Sequence, residues 1–143
     1  MKKKYPHLLL IIIFLTGCMD RNSNKNNQEK NTSQYVMEVC GEEKINNPNY
    51  KNISTSLTKV LDGSCKDDSF LIISHFKDEN TYVQIAYSVE MNDFVVEYQD
   101  GSIDKHFQST RNLNSAEVLN ILVEYSLSSK QWDQNILWQR IKV

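Results

Sequence analysis

The chain is 143 residues long, with 16 Lys+Arg against 18 Asp+Glu and a formal net charge of −2. That length suits one domain rather than several, and the slightly acidic balance excludes the basic face that nucleic-acid backbones require. Only four glycines are present, and no G-x-S-x-G, P-loop or G-x-G-x-x-G pattern occurs.

The N-terminus carries Lys2, Lys3 and Lys4, then an unbroken apolar run from Leu8 to Leu15 (LLLIIIFL). The run falls well short of the about 20 apolar residues that span a bilayer. A charged start, a short apolar core and small residues after it describe a cleavable secretory signal over 1–17. That segment ends Leu15-Thr16-Gly17-Cys18, which resembles the lipobox of bacterial lipoproteins. The resemblance implies that Cys18 carries fatty acyl chains, palmitate among them, and becomes the mature N-terminus. The protein would then sit in the cell envelope, outside the cytoplasm, on the outer or the cytoplasmic membrane. Met19, where an Asp would imply retention at an inner membrane, permits either. The alternative is an ordinary secretory signal with an incidental cysteine. Several acyl chains on one residue anchor stably where a single chain binds only marginally. Loss of the three lysines leaves 13 basic against 18 acidic residues, a net of −5. Such a surface stays soluble and complements a basic partner.

After Cys18, residues 18–34 read as a tether. Asp20 to Gln34 (DRNSNKNNQEKNTSQ) has no aliphatic or aromatic side chain and cannot offset the entropy of ordering by burial. As a coil it reaches about 20 Å. Three cysteines minus a lipidated one leave Cys40 and Cys65, a pair expected to form a disulfide in an oxidising compartment. Two buried free thiols are the alternative.

The remaining segment, 35–143, is read as a single domain. Tyr35–Cys40 is a first strand, and Gly41–Pro48 a loop. Asn52–Leu61 places Ile53, Leu57, Val60 and Leu61 on one helical stripe, with Gly63 as the residue beyond its C-cap. Phe70–Phe76 (FLIISHF) is a buried strand. Asp78-Glu79-Asn80 is a turn, Tyr82–Ser88 an alternating strand, and Met91-Asn92-Asp93 a second turn. FVVEYQ, Asp100-Gly101 and SIDKHFQ read as a hairpin with a two-residue turn. That pairing sets Tyr98 opposite Ile103 and Phe94 opposite Phe107. Period two then gathers Phe94, Val96, Tyr98, Ile103 and Phe107 on one face and Val95, Glu97, Asp104, His106 and Gln108 on the other. Asn114 is an N-cap, with Glu117 completing a capping box and Leu113 stapling to Val118, for a helix to about Leu127. Trp132 lies in a short turn or helix, and Ile136–Val143 is a closing strand. The fold expected is α+β: an antiparallel sheet of about five strands with two helices packed on one face.

No catalytic constellation, metal-ligand spacing, cofactor motif or small-molecule substrate site is legible, so the chain is read as non-enzymatic. His75 and His106 stand in no zinc pattern. The hairpin's polar face, with Glu97, Asp104 and His106, is the candidate protein-binding surface; a solvated outer face is the alternative. Opposed carboxylates there raise a pKa. Trp132 and Trp138 suit either a binding hot spot or core filler at the sheet edge.

From Phe70 onward the series FLIIS, YVQIA, FVVEYQDGSIDKHF, a capped helix ending near Tyr125, then Trp132 and Trp138 resembles a small α+β domain of immunity proteins from bacterial polymorphic toxin systems. The resemblance covers about half the chain and is most specific at Glu97-Tyr98-Gln99-Asp100-Gly101 with His106. It implies a protein that neutralises a toxin or wall-acting enzyme by binding it. Relatives of that kind are mostly cytoplasmic, so the lipobox and the cysteine pair depart from the pattern. The other role consistent with these residues is a structural lipoprotein docking on an envelope complex.

Overall fold

The computed structural model describes residues 34–65 and 69–141. The signal, Cys18 and the tether as far as residue 33 lie outside the described residues. Burial alternates with period two along the strands. Tyr35, Met37 and Val39 are buried along β1 (Tyr35–Val39), Leu71 and Ile73 along β3 (Phe70–His75), Val83 and Ile85 along β4 (Asp78–Ser88), and Phe94 and Val96 along β5 (Asp93–Asp100). With β2 (Glu43–Asn46), β6 (His106–Ser109) and β7 (Trp138–Arg140) they form one antiparallel sheet in the order β2-β1-β3-β4-β5-β6-β7. The chain is thus α+β with seven strands and two helices, two strands more than expected.

Both helices begin after a capping asparagine, the first of them at Tyr50, two residues before the expected Asn52. Asn49 caps α1 (Tyr50–Leu61) and exchanges hydrogen bonds with Asn52; Gly63 follows the C-cap at φ 76, a conformation that costs glycine nothing. Leu61 lies outside the buried stripe, and Ser56 joins Ile53, Leu57 and Val60 inside it. Asn114 caps α2 (Ser115–Ser126), accepting from Ala116 N and Glu117 N, while Glu117 accepts from Asn114 N. Leu113 and Val118, which flank this cap, are 1% and 0% exposed. The buried positions of α1, α2 and the strands belong to a single apolar core, the setting in which most helix stability arises.

Three features of the strands differ from the reading of the sequence. Glu43–Asn46, expected as loop, is strand β2, paired Met37↔Ile45 and Val39↔Glu43. Its lone apolar residue carries no strand pattern; pairing with β1 makes it a strand. The turn between β3 and β4 falls at Phe76-Lys77, not at Asp78-Glu79-Asn80. A register shift at Ser74/His75 lets Asp78 pair with His75. The β5–β6 connection is not a two-residue turn: Gly101-Ser102 leads into a 3₁₀ turn, Ile103–Lys105. Pairing slips by four residues, so Tyr98 meets Phe107 and Glu97 meets Gln108. An even slip preserves sidedness: Phe107 still joins Tyr98, their rings stacked at 4.8 Å. Ile103 instead stands 53% exposed. Phe94 bridges to Leu113 rather than Phe107.

Cys40, at the end of β1, and Cys65, after α1, lie at disulfide distance with Cα atoms 5.5 Å apart and a sequence separation of 25. Gln34, at the expected end of the tether, is tied in: its carbonyl accepts from Phe76 N (3.0 Å), and its own N–H donates to Asn47 Oδ1 (2.7 Å). The closing strand is three residues long, and Ile141 N donates to His106 O.

Replacing both Cys40 and Cys65 with alanine is expected to destabilise the fold by roughly 3 to 4 kcal/mol in urea titrations, the loop-closure value for such a span. Glu117 supplies a second test. The Arg111 guanidinium, bonded to it at 2.6 Å, and the Asn114 N–H hold its carboxyl below the ordinary 4.5. A lowered folded-state pKa contributes stability above 4.5 that is lost as pH falls through the folded value. Glu117→Gln should therefore flatten the stability profile below the ordinary carboxylate range, as read by thermal melts across pH.

Candidate functional site

The strand positions that alternate with the buried ones form a second surface, and register lines them up in rows. One row crosses all seven strands: Lys44, Glu38, Ile72, Gln84, Glu97, Gln108 and Gln139. The next runs Asn46, Val36, Ser74, Tyr82, Gln99 and His106. Glu97 and His106 are diagonal neighbours between these rows, within reach for long side chains across a strand pair. The His106 Nε2 lies 3.2 Å from Glu97 Oε2.

That bond is partly shielded. The side chains are 13% exposed for His106 and 29% for Glu97. The Tyr82 ring stands nearly edge-on to the imidazole at 6.1 Å. Burial, reinforced by the Glu97 carboxylate, raises the Tyr82 phenol above its usual value, so it remains a hydroxyl donor at neutral pH. His106 Nδ1 is buried and bonds no described residue, so Nε2 is the nitrogen engaged by the carboxylate. Gln99, also on this surface, is held by donation from its Nε2 to Asn80 O at 3.0 Å.

A groove of about 660 Å³ adjoins this cluster at Tyr82 and runs over β4, β3, β1 and β2, lined also by Glu38, Lys44, Ile72, Phe76 and Gln84. Lys44 is compensated by Glu38 at 3.3 Å. Phe76 is 56% exposed at the groove's end. The surface combines aromatic area with polar groups of both hydrogen-bonding types.

Two of the three expected contact residues come together here, and the third does not. Asp104 sits on the 3₁₀ turn, away from Glu97, and pairs with Arg140 at 3.2 Å. The longer connection removes it from opposite Glu97, so no opposed carboxylate pair exists at this site. Sequence reasoning missed Tyr82 as the neighbour of His106, although its parity with Gln84 along the alternating strand carried that signal. Trp132 and Trp138 both pack against the core, Trp138 at 4.7 Å and Trp132 at 5.3 Å from the Tyr98 ring. Among the described residues no group of three or more His, Cys, Asp or Glu side chains is placed to hold a metal ion. Comparison with known proteins returned no matching family model, no matching curated protein and no matching solved structure.

Exposed pairs contribute little, so Asp104→Ala should change stability by less than about 0.5 kcal/mol. A double-mutant cycle on Glu97→Gln and His106→Asn should return a coupling near 1 kcal/mol in urea unfolding. A coupling indistinguishable from zero would mean the pair is not a preset element of the surface.

Proposed function

We propose that this chain is a membrane-anchored lipoprotein of the cell envelope that acts by binding a protein, as an inhibitor of the immunity type. The domain neutralises a toxin or wall-acting enzyme and performs no chemistry of its own. In this reading both helices cover the same side of the sheet, and the other side is the contact surface. The observation that carries it is the row structure of that surface, where Glu97, His106 and Tyr82 are prearranged beside an open groove. Preorganised polar groups lower the ordering cost of association. The lipobox Leu15-Thr16-Gly17-Cys18 and the disulfide-distance cysteines support an extracytoplasmic site of action, so the antagonised activity is one directed at wall, membrane or periplasm. The mature net of −5 suits a basic target, through faster encounter rather than tighter final contact.

The anchor is tested by metabolic labelling with a palmitate analogue: label should appear on the parent and vanish from Cys18→Ser. The binding role is tested by deleting the gene and competing the mutant with its parent. Sensitivity to sibling or neighbouring cells, restored by the parent gene but not by one bearing Glu97→Ala and Tyr82→Ala, is the expected result. A mutant that competes equally, yet shows altered shape or envelope permeability when grown alone, would assign the chain to envelope assembly instead.

A further inference from the structure

A second groove, of about 400 Å³, lies between the first half of α2 and the turn at 131–136. It shares no lining residue with the groove on the sheet. Its floor is aliphatic: Leu113 and Ile121 are almost fully buried, and Ile136 is half-buried beside them. Trp132 forms one wall. The ring is held from behind by near-perpendicular contacts with Tyr125 at 5.2 Å and Tyr98 at 5.3 Å. Around the rim stand three amide side chains, Asn120, Gln131 and Asn135, all exposed. Among the described residues none of the three side chains has a hydrogen-bond partner.

Charge in this groove is already compensated. Arg111 and Glu117, the two ionised residues of the lining, face each other in a double hydrogen bond at 2.6 and 3.2 Å. The same carboxylate also accepts from Asn114 N. An ionic ligand therefore meets no uncompensated partner. What remains available is one indole, an apolar floor and three groups that each donate and accept.

We propose that this groove binds an uncharged pyranoside, as one or two units of a glycan chain. A pyranose has one face of C–H groups and an equator of hydroxyls that both donate and accept. The floor and Trp132 match the first, and the amides match the second. A flat nucleobase would be better served by a second aromatic wall, which the aliphatic floor does not supply. A nucleotide's phosphate would need a free cation. The volume lies at the lower end of small-ligand pockets, enough for a short stretch of sugar rather than a large molecule. The proposal does not rest on the toxin-blocking reading and concerns a different part of the surface.

The test is chemical-shift mapping on the full-length chain in detergent, titrated separately with chitotriose, maltotriose, adenosine and trialanine. The expected result is saturable shifts at the side-chain amides of Asn120 and Asn135 and at the Trp132 indole N–H, with at least one of the two saccharides. Which saccharide binds separates an N-acetylated wall-type glycan from a plain glucan. Asn120→Ala with Asn135→Ala removes two exposed side chains and should weaken binding about tenfold, the loss expected for two hydrogen bonds, with the circular dichroism spectrum unchanged. Should the double variant not fold, each single variant is expected to weaken binding severalfold. Absence of shifts with both saccharides, shifts unaffected by these variants, or tighter binding of adenosine or trialanine would each overturn the proposal.

Discussion

The register between β4 and β5 is the constraint from which the rest of the domain takes its geometry. Eight consecutive pairs, from Thr81↔Asp100 to Ser88↔Asp93, run through the middle of the sheet. They put Val83 beside Tyr98 and Ile85 beside Val96 on the core side. The same ladder puts Gln84 beside Glu97 and Tyr82 beside Gln99 on the opposite side. A shift of β5 by one residue would turn Glu97 into the core and put Phe94, Val96 and Tyr98 on the opposite side. The cost of burying such polar groups without partners, several kcal/mol each on apolar transfer scales, is what makes the alternative inaccessible.

Much of this was legible because period two is robust to mistakes in loop length. The side-chain parity of Phe94, Val96, Tyr98 and Phe107, and of Glu97 with His106, survives any even slip. The core face and the Glu97–His106 association could therefore be read without knowing the turn. Asp104 could not, because its position depends on whether residues 101–105 form strand or a 3₁₀ turn. Contacts to β4 bear on that point: Gln99 Nε2 and Gly101 N both donate to Asn80 O. Likewise β2 was illegible, since EKIN has one apolar residue and becomes strand only against β1. Asn114 and Glu117 show the opposite case. A cap is a local motif whose partners lie within three residues, so the sequence displays it complete.

The two grooves differ in the kind of recognition they can support. On the sheet, the charged groups are distributed across rows, and their separations are set by strand spacing of about 4.8 Å. That suits a broad partner whose own groups match the spacing. Beside α2, charge is internally cancelled and the features are concentrated around one indole ring. That suits something small and neutral. A single domain of this size thus separates its polar resources by location, with the shared core holding both surfaces in place.

Gln34 has a mechanical meaning. It leads directly into β1, which is laddered on one side to β2 and on the other to β3. A load applied along the chain at this point would reach β1 first and meet the hydrogen bonds of two ladders rather than one. At the far end of that strand, Cys40 lies at disulfide distance from Cys65, just past α1. The leading strand is thereby tied into the domain through both of its neighbours and, at Cys40, toward the end of α1.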